Sequence, residues 1–146
     1  MSKALFANQR ETNLASTVAL VDEVLAGRGH VERLEDPAAL HAWKIGTGAR
    51  LALLHRSEFT HIRVEAIVMT LDAQVDRTKL FGELLDLNAQ LTGAAFATAH
   101  DRVLLVSERS TLDLDRSEVT ELIAHVLEYA DHYAPVLVTR HGGARG

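Results

Sequence analysis

Apolar residues recur every three or four positions in three stretches of the chain, a spacing that predicts amphipathic helices. Glycines follow the first two stretches, and glycine commonly ends a helix. Capping-box patterns stand at Asn8 with Glu11 and at Asp115 with Glu118, while Pro135 ends or kinks the third stretch. We therefore predict helices from Asn8 or Thr12 to Ala26, from Asp76 to Gly93, and from Asp115 to about Tyr133.

Alternating apolar and polar residues predict five strands between and after the first two helices. Gly46-Thr47-Gly48 marks a hairpin turn between the first two strands, and His100-Asp101 marks one between the last two. Because strands and helices do not alternate one by one, the sheet should be antiparallel. The predicted strands are Leu40–Ile45, Ala49–Arg56, His61–Leu71, Ala94–Ala99 and Val103–Ser107, with a loop or a further short strand at Val31–Leu34.

The alternation also assigns a face to each strand residue of the first three strands. One face is apolar throughout and should meet the helices: Trp43, Ile45, Leu51, Leu53, Ile62, Val64, Ala66 and Val68. The outer face is basic at its margins, with Lys44, Arg50, Arg56 and Arg63, and apolar in its middle, with Leu54, Ile67 and Met69. A half-solvated sheet would be polar in that middle, so we expect something to cover it.

The composition describes an ordinary globular protein of 146 residues with a formal charge of −5. We expect a single domain over residues 1–140 and a disordered tail over 141–146. There is no cysteine, no signal-peptide pattern and no run of 18 apolar residues, so we expect a cytoplasmic protein without disulfides or a membrane span. The negative charge disfavours non-specific binding to phosphate backbones.

Candidate chemistry is limited to histidines. His125 and His132 share a stripe of the third helix with Glu121 and Glu128, ligand types that suit a divalent metal. That stripe lies opposite the apolar face, so a solvated surface explains it more simply. His55 and His61 flank one hairpin, but two ligands leave a zinc site incomplete. Since no nucleophile or phosphate-binding motif stands in the chain, we expect no catalytic residues, no metal and no cofactor.

Three segments carry a resemblance to known families: LFGELLDLNAQLTGAAFA, DRVLLVSE and LDLDRSEVTELIAHVLEYADHY. They resemble the YbjN-type bacterial proteins and, related in fold, the type III secretion chaperones, over roughly residues 76–133. In those families a Leu-Leu-x-Leu-Asn helix leads into a small-residue strand and a tight turn. The resemblance implies an α+β fold, with three helices on a twisted five-stranded antiparallel sheet in the order α-β-β-β-α-β-β-α. It also implies a homodimer that binds another protein chain and has no enzymatic activity.

The sheet also carries more apolar surface than its helices can cover, because three helices can cover only one of its faces. This surplus likewise favours a protein that binds another chain. Our leading hypothesis is a chaperone-like or regulatory homodimer that holds another protein, and the outer-face residues named above form either its partner-binding surface or its dimer interface. The alternative is an accessory factor of a nucleic-acid-associated protein that uses Lys44, Arg50, Arg56 and Arg63. The outer face lacks stacking aromatic residues, which argues against direct nucleic-acid binding. A third hypothesis, a small metal-dependent enzyme, would use the His and Glu residues of the last helix.

Overall fold

The computed structural model describes the backbone of residues 2–146 and the side chains from Asn13 onward. Within that range the chain forms three helices and seven strands. The helices are α1 (Ser2–Ala26), α2 (Arg77–Asn88) and α3 (Arg116–His141). The strands are β1 (Val31–Leu34), β2 (His41–Ile45), β3 (Ala49–Arg56), β4 (Phe59–Thr70), β5 (Ala95–Ala99), β6 (Arg102–Ser110) and β7 (Ala144–Arg145).

All strands belong to one sheet, in which the spatial order is β1-β2-β3-β4-β6-β5 and every pairing is antiparallel. The two-residue β7 lies off this path and pairs with β4. The predicted α+β class, element order and five strands are therefore confirmed, and the sheet gains β1 and β7. The possible strand at Val31–Leu34 is present, and it forms one edge of the sheet.

The helix ends follow the predicted caps where side chains are described. The Asp76 side chain accepts a hydrogen bond from the Lys79 amide at 3.1 Å, and Asp115 with Glu118 forms a complete capping box. The side chains of the cap predicted at Asn8 lie outside the described residues, and α1 itself begins at Ser2. Helix α3 does not end near Tyr133 but continues through Pro135 to His141, beyond the further turns that the sequence allowed at Val136–Val138.

The core lies between the helices and the face of the sheet that was predicted to meet them. Trp43, Leu51 and Val64 are all at most 1% exposed, and they join residues of α1, α2 and α3 in one apolar cluster. The indole nitrogen of Trp43 donates a hydrogen bond to Asp22 of α1 at 2.8 Å. Burial of these side chains supplies the main favourable term for folding.

A β-bulge in β4 changes the face of its last residues. The register with β6 shifts between Ile67 and Met69, so that Ile67 pairs with Leu104 and Met69 pairs with Val103. Val68 and Met69 are consequently both buried, at 0% exposure. The extra residue of a bulge interrupts the alternation of faces, which is why Met69 belongs to the core cluster.

The last residues, for which the sequence predicted a disordered tail, form the end of α3 and the short strand β7. Helix α3 ends at His141. The backbone then turns at Gly142 and Gly143, whose φ angles are 85° and 76°. After this turn, β7 pairs with Met69 and Thr70. Glycine tolerates this left-handed conformation because it lacks a Cβ.

Across residues 2–146, none of the helices has both the length and the apolar character that crossing a bilayer requires.

Candidate functional site

Six of the seven predicted site residues lie on the outer face of the sheet. Cross-strand pairing places Lys44 beside Arg50, and Leu54 beside His61, on the side away from the core. Met69 is the exception, and its predicted outer position is wrong, because the bulge turns it into the core. Leu54 and Ile67 are half-buried, so the apolar middle of this face is smaller than the alternation alone predicted.

Carboxylates pair with every arginine of the predicted basic margin. Arg50 contacts Asp36 at 2.5 Å, and Arg56 contacts Glu108 at 2.8 Å. Arg63 lies between Glu65, at 3.1 Å, and Glu108, at 3.3 Å. The face is therefore a mixed-charge network and not a basic patch.

Glu108 is the hub of this network. It accepts two hydrogen bonds from Arg56, one from Arg63, and contacts the His61 ring at 2.9 Å. Hydrogen bonds from Arg56 above all, and from His61 and Arg63, lower the pKa of Glu108 from 4.5 to about 2, against the opposing effect of its partial burial. Glu108 therefore stays ionised well into the acid range, and it holds together β3, β4 and β6.

The largest exposed apolar cluster lies elsewhere, at the end of the sheet where β4 begins. Among the described side chains, five large apolar residues are exposed, and three of them line one cleft: Leu40 at 44%, Phe59 at 55% and Leu112 at 68%. Leu14 of α1 and Leu114 complete its apolar wall. We call this the Phe59 cleft.

The sequence contained a signal for the Phe59 cleft that alternation does not capture. Phe59 stands in the predicted turn after β3, and Leu112 stands in the linker before α3. Large apolar residues in turns have no strand or helix face to enter, so their exposure marks a surface that can bind another molecule.

A second exposed feature lies on α2 and β5, at the opposite edge of the sheet from β1. Leu85 of α2 is 70% exposed, and β5 is the last strand in the sheet order. The Asn88 side chain fixes β5 beside α2, since it accepts from the Phe96 amide at 2.6 Å and donates to the Phe96 carbonyl at 3.2 Å. We call this the Leu85 edge.

His125 and His132 of α3 contact aromatic rings. His125 stacks on Tyr129 with ring centroids 6.2 Å apart, and His132 meets Tyr133 edge-on at 4.7 Å. His55 pairs across the hairpin with Thr60, whereas His61 pairs with Leu54, so the two histidines lie on opposite faces. Among the described side chains, no three His, Asp or Glu residues are grouped as metal ligands.

Comparison with known proteins identifies the architecture. The family model described as T3SS (YopN, CesT) and YbjN peptide-binding chaperone 1 matches residues 15–146. A search of curated proteins found no match.

Solved structures of low sequence identity share the fold. The crystal structure of the ExsC–ExsE complex matches with a TM-score of 0.60 at 17% identity, covering 84% of this chain and 94% of the other. An uncharacterized protein from Methanothermobacter thermautotrophicus matches with a TM-score of 0.63 at 12% identity, covering 85% and 98%. The HopA1–SchA chaperone–effector complex matches with a TM-score of 0.57 at 14% identity, covering 86% and 97%.

The predicted resemblance is thus confirmed, and the chain belongs to the family of T3SS (YopN, CesT) and YbjN peptide-binding chaperones.

Proposed function

We propose that this chain is a non-enzymatic chaperone, which acts as a homodimer and holds an apolar segment of another protein in the Phe59 cleft. The observation that carries the proposal is the convergence of Leu40, Phe59 and Leu112 in one cleft, while almost all other large apolar side chains described are covered. The family supports peptide binding as the activity, and two of the similar structures are complexes of two proteins.

The walls of the cleft suit an apolar segment with a polar backbone. Between the apolar side chains lie the hydroxyls of Thr60, Ser110 and Thr111, which can bond a peptide main chain. Glu58 and Asp113 stand at its rim. An apolar centre with a polar rim is the usual composition of a protein-binding surface.

The Leu85 edge is our candidate for the dimer interface. An exposed edge strand tends to pair with another chain unless it is protected, and the helix that packs against β5 carries the exposed Leu85. A two-fold axis at this edge would bring Leu85 and β5 of one copy against the same surface of the other. The Phe59 cleft of each copy would then remain open.

Two charge-introducing variants separate these roles. Leu112→Glu places a carboxylate in the Phe59 cleft, and Leu85→Glu makes the same change at a leucine of nearly equal exposure, 70% against 68%. Binding is measured on an immobilised array of extended apolar peptides, and mass in solution by light scattering at micromolar concentration.

We expect the wild type to scatter as a dimer of the 16.0 kDa chain and to bind a subset of the array. Leu112→Glu should lose about tenfold in peptide affinity and remain dimeric, since burying an unpaired charge costs more than 1.4 kcal/mol. Leu85→Glu should become monomeric. A wild-type monomer would refute the dimer, and unchanged peptide binding by Leu112→Glu would refute the cleft.

The alternative role beside nucleic acid loses support from the ion pairs. Asp36, Glu65 and Glu108 already engage the arginines on which it depends. A salt-dependent mobility shift that disappears in a Lys44→Ala, Arg50→Ala double variant would favour this alternative.

A further inference from the structure

Strand β4 is longer than the neighbour that covers its edge. Strand β3 pairs with β4 only as far as Ala66, which lies opposite Ala49, and Gly48 accepts the Ile67 amide at 2.8 Å. Beyond that point β4 continues to Thr70, so its last residues have no β3 partner. Strand β7 occupies this edge in line with β3, antiparallel to β4.

We call the part of the β4 edge that β7 occupies the slot. It has no room for a side chain at two positions. A Cβ added to Gly146 would lie 2.0 Å from Cγ2 of Ile67, and one added to Gly143 would lie 2.5 Å from the Thr70 carbonyl oxygen. Real Cβ atoms do not approach so closely. Only a backbone with glycine at those positions fits.

The slot also carries a charge preference. Arg145, between the two ends of the slot, directs its guanidinium towards Asp131 of α3 at 3.5 Å. Asp131 is 82% exposed and belongs to the rim of the adjoining cleft, beside Leu127 and Ala134. A basic residue at this position of an incoming segment would find the same partner.

Strand β7 is weakly bound to β4, although the end of α3 that precedes it is anchored. His141, whose side chain is 2% exposed, contacts Glu83 of α2 and anchors the end of α3. Beyond the left-handed Gly142 and Gly143, residues 144–146 are exposed, and the Gly146 amide reaches the Val68 carbonyl only at 3.4 Å. The long hydrogen bond and the exposed ion pair contribute little to the stability of β7, although a charge pair can still select between ligands.

We propose that the edge of β4 at Met69 and Thr70 is a second peptide-accepting site, and that residues 144–146 occupy it as an intramolecular pseudo-ligand. The segment it accepts from a partner is extended, has glycine where a Cβ would meet the Ile67 side chain and carries a basic residue immediately before that glycine. Binding by strand addition at a sheet edge uses main-chain hydrogen bonds for affinity and adjacent side chains for selectivity. The site lies about 30 Å from the Phe59 cleft, at the other end of β4, so it stands independently of that cleft.

The test uses the full chain with one of two matched substitutions in the same short segment. Gly146→Val should expel β7 because of the contact with Ile67, whereas Ala144→Val adds the same side chain at an exposed position. The probe is the hexapeptide His-Gly-Gly-Ala-Arg-Gly, and the readout is the set of amide resonances of Met69 and Thr70 in an isotope-labelled chain. The remaining resonances report whether each variant is folded.

We expect Gly146→Val to shift the Met69 and Thr70 resonances, and the added hexapeptide to return them towards their wild-type positions. A tethered segment acts at roughly millimolar effective concentration, so the wild type and Ala144→Val should bind the hexapeptide at least about fivefold more weakly. Hexapeptides ending in valine, or with glutamate for arginine, should bind Gly146→Val more weakly than the original.

Equal binding to the wild type and to Gly146→Val would overturn the proposal, as would no binding to either. Unchanged Met69 and Thr70 resonances in Gly146→Val would refute the steric fit. Shifts that depend on protein concentration and not on peptide would assign the slot to the tail of a second copy and also overturn it.

Discussion

Glu108 offers the most direct test of the ion-pair network on the outer face. Replacing it by glutamine keeps the shape of the side chain but removes the charge that Arg56, Arg63 and His61 contact. The three basic side chains would then lie close together on neighbouring strands without their common counter-charge. We expect Glu108→Gln to lower the free energy of unfolding at pH 7.

The pKa of Glu108 sets the scale of the loss. A decrease from 4.5 to about 2 corresponds to at most about 3.5 kcal/mol, since each pKa unit is about 1.4 kcal/mol. Glu108 is 21% exposed and its main partner Arg56 is 50% exposed, so solvent screens part of the interaction. We therefore expect a loss of about 1–2 kcal/mol.

The lowered pKa of Glu108 also predicts how its contribution to stability changes with pH. Because the folded pKa lies below the unfolded value, the unfolded chain takes up the proton first as the pH falls. The stabilisation by Glu108 is fully present above about pH 5 and is lost progressively between pH 4.5 and about 2. Urea unfolding of the wild type and Glu108→Gln at several pH values should show a stability difference that shrinks with acidification.

Glu58→Gln is the matched control, since it removes one carboxylate from the exposed turn of the β3–β4 hairpin, which carries Arg56 and His61. It should change stability by less than about 0.5 kcal/mol. Equal stabilities of wild type and Glu108→Gln at pH 7, or a difference that stays constant down to pH 2.5, would refute the assignment of Glu108 as the hub.

Substitutions at three further residues test the packing. Met69→Ala should cost about 3 kcal/mol in urea unfolding, as for a core methionine, whereas a loss below 1 kcal/mol would place Met69 on the outer face. Asn88→Ala should cost about 2 kcal/mol because it leaves the Phe96 backbone without its side-chain partner. Asn88→Asp keeps the acceptor for the Phe96 amide and should lose less stability. Hydrogen exchange at the Phe96 amide should be fastest in Asn88→Ala, slower in Asn88→Asp and slowest in the wild type. Trp43→Phe removes the donor to Asp22 and should cost about 1–2 kcal/mol in thermal or urea unfolding; an equally stable variant would count against that bond.

The local pattern was sufficient for most of the fold. The inner-face residues from Trp43 to Val68 are buried as their alternation predicted, and the caps at Asp76 and Asp115 form as predicted. These features depend on neighbours within a few positions, so periodicity and capping chemistry capture them.

The predicted site was only partly recovered, because its residues depend on distant partners. Six of its members reach the outer face, but Asp36 and Glu108, which neutralise its arginines, come from other segments of the chain. The Phe59 cleft was missed because its side chains belong to turns and linkers, where alternation assigns no face. Whether either surface binds a partner stays a prediction.

The sequence by itself determined the family, the order of elements and the face of the sheet that meets the helices, because each follows from short-range patterns. Only the tertiary structure decided that Met69 turns inward, since the bulge arises from pairing β4 with β6. It also decided that the last residues close the open edge of β4, which requires α3 to continue past Pro135 and end beside that strand. Pairings between segments so far apart in the chain depend on the packed core, which no local pattern describes.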